Sequence, residues 1–439
     1  MATDTHRNGS FSSSFGFVLA CVGSAVGLGN IWLFPYRLGQ YGGGAFLIPY
    51  LLFVFLFGWV GLSAEFGIGR LARTGTLGAY AFCFRSRGRE TVGKALGWIP
   101  LMGSLGIAIG YAIIVGWVVR SAAGAVTGAL LTEPDFFAQA TGSFGSLPWH
   151  VLVVALVCLM LLTGAAGSIE KISKVMMPLF FLLFLVVAVR VAFLPGAGEG
   201  YRFLFAPDWS ALLDPFTWVM AMGQAFFSLS ITGSGMIVYG AYLDRSADIP
   251  GAALRTAFFD TCAALLSALA IMPAVFSFGI DPSAGPSLLF ITLPGIFAQM
   301  PLGRVFAVLF FVSVIFAGLT SLVNMVEAVC ESWQTRFRLS RTAAVLLCSG
   351  IILTAGVFLE AEPLVGSWMD FITIVVVPIG AMLGAVAIYY VLGWPTIRRE
   401  LELGRQKPLS QFFGPCAKYL YVPLTVIILI LGFVFHGIG

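Results

Sequence analysis

The sequence predicts an all-α integral membrane protein of eleven transmembrane helices: two inverted five-helix repeats with broken first and sixth helices, and one further helix. Composition is the first reason. Of 439 residues, 59% are hydrophobic and only 10% charged, against about 45–50% and about 25% in a soluble globular chain. So few charges cannot clothe a chain of this length in polar surface. The second reason is that apolar runs of the roughly 20 residues needed to cross a bilayer recur along the chain. The third is that Lys and Arg gather in alternate connecting segments.

In order, the runs are 14–37, 43–69, 95–122, 149–166, 172–194, 215–242, 252–279, 302–330, 342–359, 368–393 and 420–437. The first is long, glycine-interrupted and followed by the others, which sets it apart from a cleaved signal sequence. Arg70, Arg73, Arg85, Arg87, Arg89 and Lys94 lie between runs two and three. Lys171 and Lys174 mark the junction of runs four and five, and Arg245 and Arg255 that of six and seven. Arg336, Arg338 and Arg341 separate eight from nine, and Arg398, Arg399, Arg405, Lys407 and Lys418 precede the last run. With Arg7 these are nineteen of the 24 basic residues. The positive-inside rule puts them in the cytoplasm, with the N-terminus inside and the C-terminus outside a multi-pass cell (plasma or inner) membrane. Arg37, Arg120, Arg190, Arg202 and Arg304 remain outside, beside Glu133, Asp135, Glu199, Asp208 and Glu362. Pro286–Met300 is apolar but too short to cross, and Pro294 interrupts it. It reads as a re-entrant hairpin over an external vestibule.

Several classes of function are excluded. A net charge of +4 without a basic cluster gives no reason to expect a nucleic-acid partner. The seven cysteines show no CxxC or Cys/His spacing and read as packing residues. His6, His150 and His436 all sit near segment ends, and no Ser/His, Asp/Asp or HExxH pair lies at membrane depth, so no enzyme is expected. No ring of charges or repeated filter suggests a channel. The connecting segments leave no room for a soluble domain, so residues 1–439 form one unit.

Residues 14–195 and 215–393 are the two five-helix repeats, and 420–437 is the eleventh helix. Five is odd, so the second repeat enters the membrane upside down. Each repeat opens with a broken helix. Span one contains Gly23-Ser24-Ala25-Val26-Gly27-Leu28-Gly29-Asn30; span six contains Ser228-Leu229-Ser230-Ile231-Thr232-Gly233-Ser234-Gly235. Glycine costs about 1 kcal/mol against alanine inside a helix. A broken helix leaves carbonyl oxygens for a cation and amides for an anion. Gly23 and Gly27 also form a close-packing pattern. The adjoining Asn30 and the second break in the matching place favour an ion and substrate site.

Those residues carry a resemblance. The run Gly29-Asn30-Ile31-Trp32-Leu33-Phe34-Pro35-Tyr36, then Tyr41-Gly42-Gly43-Gly44-Ala45-Phe46 and Pro49-Tyr50, resembles the neurotransmitter:sodium symporters. Gly223-Gln224-Ala225-Phe226-Phe227-Ser228-Leu229-Ser230 and Phe316-Ala317-Gly318-Leu319-Thr320-Ser321 are similar to that family's sixth and eighth helices. The likeness runs from about residue 11 to the end. It implies the LeuT fold, a transporter architecture built around broken helices, in its prokaryotic eleven-helix form.

The resemblance implies sodium-coupled uptake of an α-amino acid by alternating access. It places one sodium on the Ala25 carbonyl, Asn30, Ser228, Asp260 and the substrate carboxylate. A second sodium falls to backbone oxygens of Gly23, Val26 and Ala317 with the hydroxyls of Thr320 and Ser321. Back-bonding within their own helix is the plainer role for those two hydroxyls. Asp260, alone in an apolar run, is a functional-site candidate by its depth. Pairing with Arg255 is its alternative, but five residues apart they do not share a helix face. Gly27 leaves room for a carboxylate on the amides of Gly27, Leu28 and Gly29 and on Tyr111, near Ser321. The amine then meets carbonyls near Ala25, Phe227 and Ser230, and Ser228 is counted with the substrate-binding residues. The side-chain pocket is expected from Ile107, Tyr111, Phe227, Ser230, Gly233 and Met325. Gly233, where small-substrate relatives carry Phe, implies a deep pocket for large hydrophobic or aromatic side chains. Chloride is not expected, because Asp260 and Ala264 stand where chloride-dependent relatives carry Asn and Ser. A monomer or weak dimer is expected. Two departures stand out: Leu33 replaces the outer-gate Arg while its partner Asp370 is kept, and Thr335 replaces the inner-gate acid that would face Arg7. Glu65 is expected as a structural carboxylate, and Glu327 to face the exit path or a neighbouring helix.

Overall fold

The computed structural model describes residues 10–280 and 288–437. Arg7 and the first two residues of Pro286–Met300 lie outside the described residues. Within the described residues the chain is helical, with no strand. The first expected span is a bent pair, α1 (Ser14–Ala25) and α2 (Gly29–Gln40), whose axes differ by 61°. Then come α3 (Gly43–Ala72), α4 (Glu90–Thr127), α5 (Leu147–Leu162) and α6 (Ala166–Ala192). The sixth span is again two pieces, α7 (Pro215–Ser228) and α8 (Gly235–Ala241). The remainder are α9 (Ile249–Ser277), α10 (Gly303–Phe337), α11 (Arg341–Val357), α12 (Glu362–Glu402) and α13 (Phe413–Val434). Among the described residues, seven of these are long and apolar enough to cross a membrane, and the bent pair makes an eighth. Helices α5 and α11, of 16 and 17 residues, are shorter. The described part of Pro286–Met300 is one short helix, Leu289–Gln299, and no reversal of the chain occurs within it. Its Phe290 stacks on Phe137, in the segment between α4 and α5, at 4.7 Å.

Local sequence explains where these helices start. Ser13 caps α1 through the Gly16 amide, Asp214 caps α7 through the Phe216 amide ahead of Pro215, and Asp248 caps α9 through the Gly251 amide. A side-chain oxygen there accepts an amide hydrogen that the helix itself leaves unbonded. In the interior, α4 packs against α10, while α1 lies against α6, α9 and α10. Small residues let α4 come close to its neighbours. A Cβ on Gly106 would stand 2.5 Å from the Ile372 side chain, and one on Gly116 would stand 3.0 Å from the His150 backbone. Close approach of backbones is how membrane helices gain contact when lipid is as apolar as leucine. The opposite situation holds on α6, where Leu182, Leu185 and Val189 are about half exposed and present an apolar face outward.

Several buried charges are paired. Arg70 is enclosed: Nε meets the Glu400 carboxylate at 2.5 Å, and Nη1 donates to the Ala247 carbonyl at 2.7 Å. Glu327 joins Arg341 at 2.6 Å and accepts the Tyr242 hydroxyl at 2.5 Å, so it faces neighbouring helices. His150 contacts Glu360 at 2.8 Å, and the Ser146 hydroxyl donates to the same carboxylate.

Candidate functional site

The two helix breaks lie side by side. Helix α1 stops at Ala25 because Val26 turns to an extended conformation (φ −67°, ψ 114°), and α2 resumes at Gly29. Helix α7 ends at Ser228, and the link to α8 passes through Ser230 (φ 53°) and Gly233 (φ 73°). Glycine takes the left-handed region freely, but serine there costs roughly 1–2 kcal/mol. Such strain persists only where the surroundings fix it. Here the Ser230 hydroxyl donates to the Ser24 carbonyl at 3.3 Å, tying one break to the other, and Glu65 accepts the Gly233 amide at 2.7 Å.

Two polar clusters flank the breaks. In the first, Asn30 Nδ2 donates to Asp260 Oδ1 at 2.8 Å and to Ser228 Oγ at 2.9 Å, and Ser228 Oγ donates to Asp260 Oδ2 at 2.6 Å. Asn30 Oδ1 accepts the Gly27 amide at 3.0 Å. Asp260 is fully buried, and Arg255 instead donates to the Gly251 carbonyl. In the second cluster, Ser321 Oγ donates to the carbonyls of Val26 (3.0 Å) and Gly23 (3.3 Å), while Thr320 Oγ1 donates to Ala317 (3.1 Å) and Phe316 (2.9 Å). A neutral, all-oxygen group of this kind is the donor set of a hard monovalent cation.

Between them opens a solvent-connected cavity. Ala25, Gly27, Gly29, Ile107, Tyr111, Phe227, Ser228, Ser230, Ser321 and Met325 line it. Leu28 takes part through its backbone, donating its amide to the Tyr111 hydroxyl at 3.0 Å. A Cβ on Gly27 would lie 2.6 Å from that hydroxyl and 3.0 Å from Ser321 Oγ, so glycine keeps this end of the cavity open. Among the described residues, no charged side chain lines the cavity. Gly233 requires a correction. It does not line the cavity; a Cβ there would point at the Gly380 carbonyl, 2.5 Å away, and the Tyr80 hydroxyl, 2.8 Å away. Its positive φ turns that direction away, so the depth of the pocket comes from other residues.

Residues 8–133 and 135–436 match the model of the sodium:neurotransmitter symporter family. The chain belongs to the sodium:neurotransmitter symporter family. It is 34% identical to an uncharacterised sodium-dependent transporter of Bacillus subtilis, over 97% of both chains. It is 30% identical to another of Haemophilus influenzae, over 81% of both. The crystal structure of MhsT in complex with L-phenylalanine is similar with a TM-score of 0.84 and 32% identity, covering 97% of this chain and 99% of that one. The symporter is thus a sodium-dependent, multi-pass membrane transporter with the LeuT fold.

Of the residues named at the expected gates, Asp370 is exposed near the Glu362 end of α12, and the Thr335 hydroxyl donates to Glu331 at 2.9 Å, one turn earlier on α10. Glu331 also accepts the Gly75 amide at 2.7 Å. Sequence reasoning missed several walls of the cavity: Ser104, Thr232, Asn324, and Thr373, Val377 and Pro378 of α12. Ser104 was within reach, since it lies three and seven residues before Ile107 and Tyr111 and shares their helix face. Nothing in the local pattern of α12 distinguishes its cavity side from its lipid side.

Proposed function

We propose that the chain performs sodium-coupled secondary active uptake of an α-amino acid with a large hydrophobic or aromatic side chain, by alternating access through the central cavity. The observation that carries this reading is the polarity of that cavity: amides and the Tyr111 hydroxyl at one end, carbonyls around the breaks, apolar walls beyond, and no charged side chain among the described residues. A zwitterion fits such a lining. Its carboxylate meets the amides of Gly27, Leu28 and Gly29 at the start of α2, where the helix dipole favours an anion. Its amine meets carbonyls around Ala25, Phe227 and Ser230. A charged side chain would stay unpaired among Ile107, Phe227 and Met325.

One sodium is assigned to the Ala25 carbonyl, Asn30, Ser228, Asp260 and the substrate carboxylate. The other is assigned to Gly23, Val26, Ala317, Thr320 and Ser321. Because the carboxylate is itself a ligand of the first ion, sodium and substrate raise each other's affinity by the same factor. Asp260 supplies the negative charge covalently, so chloride is not required. Residues 14–195 and 215–393 act as the repeats that rock around the site, with the N-terminus in the cytoplasm and the C-terminus outside.

Uptake into liposomes tests this reading. Purified protein given an inward sodium gradient should accumulate Leu, Phe, Tyr or Trp above equilibrium and should fail to do so in choline. Dissipative flux without accumulation would overturn symport. Preference for Gly or Ala over every large side chain would overturn the assignment of substrate size.

A further inference from the structure

We propose that Ser104 determines specificity in the central site: its hydroxyl receives the phenolic O–H of a tyrosine-like substrate, at the end of the cavity opposite the carboxylate. This rests on the amino-acid reading above and adds which side chain the site takes. Helix α4 presents Tyr111, Ile107 and Ser104 to the cavity, spaced by four and three residues and therefore forming one stripe. Seven residues of helix span about 10 Å. From carboxylate to phenolic oxygen, tyrosine measures roughly 8–9 Å by standard bond lengths. A molecule anchored beside Tyr111 therefore brings its phenol alongside Ser104. Helix α10, packed along α4, offers the same progression: Ser321 beside Gly27, then Asn324 and Met325 about one turn on.

The state of the Ser104 hydroxyl is the second observation. Ser104 is only 2% exposed, yet it lines the cavity and its hydroxyl makes no hydrogen bond among the described residues. Other buried hydroxyls on these helices bond back to their own backbone: Ser121 to Trp117 at 2.8 Å, Thr256 to Ala252 at 3.0 Å, Ser267 to Ala263 at 2.9 Å. Its polar neighbours on the lining are already engaged. Asn324 Nδ2 donates to the Gly235 carbonyl at 3.2 Å, and the Thr232 hydroxyl accepts the Gly235 amide at 3.4 Å. A hydroxyl that faces the cavity gives up its water when a ligand fills that space, so a ligand group that can hydrogen-bond to it is favoured there. A phenol does so and stays neutral, whereas phenylalanine leaves the hydroxyl as it is.

The test is equilibrium binding of Tyr and Phe, in sodium, to full-length wild type, Ser104→Ala and Ser104→Thr. Ser104→Ala should weaken tyrosine about five- to tenfold while phenylalanine stays within about twofold. Ser104→Thr, which keeps the hydroxyl, should preserve the wild-type ratio. Equal loss for both ligands, or no change for either, overturns the Ser104 assignment alone. A wild-type protein that binds no amino acid overturns the reading beneath it as well.

Discussion

Gly27→Ala attacks the carboxylate end of the cavity with a single methyl group. That carbon would stand 2.6 Å from the Tyr111 hydroxyl and 3.0 Å from Ser321 Oγ, so the hydroxyl has to move. Gly27 is not among the residues with positive φ, so alanine adds no backbone strain and the damage stays with those contacts. When the hydroxyl moves, its 3.0 Å bond from the Leu28 amide is lost and a donor for the substrate carboxylate goes with it. A hydrogen bond to a charged group contributes about 1.5–3 kcal/mol, which corresponds to roughly a 10- to 150-fold loss of affinity. Tyr111→Phe removes the same donor by another route. In the double variant the alanine methyl no longer meets the Tyr111 hydroxyl, so the two losses should overlap rather than add. The assay is equilibrium binding, in sodium, of whichever amino acid stabilises the wild type most. Unfolding temperature without substrate serves as the folding control. Binding by Gly27→Ala within about twofold of wild type, or fully additive losses in the double variant, would refute this account of the site.

Three further outcomes follow from the same geometry. Replacing chloride by gluconate should leave uptake intact, while Asp260→Asn, which removes the buried charge held by Asn30 and Ser228, should sharply weaken the sodium dependence of substrate binding. Thr320→Ala and Ser321→Ala each delete one oxygen of the neutral cluster and should raise the sodium concentration needed for half-maximal uptake, with the preference among amino acids unchanged. Glu327→Gln should destabilise the protein by about 3–5 kcal/mol, because it leaves a partly buried Arg341 without its carboxylate. Adding Arg341→Met should recover much of that loss in a thermal melt; no recovery would mean the pair is not the cause.

The fold was legible because a membrane imposes length and apolarity on every helix, and those survive in a single sequence as long hydrophobic runs. The breaks in α1–α2 and α7–α8 were legible because glycine and serine clusters interrupt such runs. The first polar cluster was equally plain, since Asp260 is conspicuous among Phe and Ala. What escaped was orientation. Gly233 looked like an opened pocket wall, but its left-handed backbone turns its Cα–Cβ direction toward Tyr80 and Gly380. The α12 side of the cavity escaped because Thr373, Val377 and Pro378 sit in a run that is apolar on every face. The expected hairpin at Pro286–Met300 is not seen in its described part: Pro294 sits where a π-helical turn, Leu288–Thr292, runs into the α-helical Leu293–Gln299, and the helix carries on through it.

The enclosure of Arg70 bears on how the protein is made. Its guanidinium depends on Glu400, 330 residues later in the chain, and on the Ala247 carbonyl, 177 residues later. At the roughly 5–20 residues per second of protein synthesis, the ribosome needs on the order of 15–60 seconds after Arg70 to produce its carboxylate partner. Throughout that interval the end of α3 carries a cation that must stay at the wet face of the bilayer. The bundle therefore cannot finish closing on that side until α12 has been inserted. A nascent chain released before residue 400 would lack the anion that Arg70 needs, leaving α3 ready for capture by quality-control proteases.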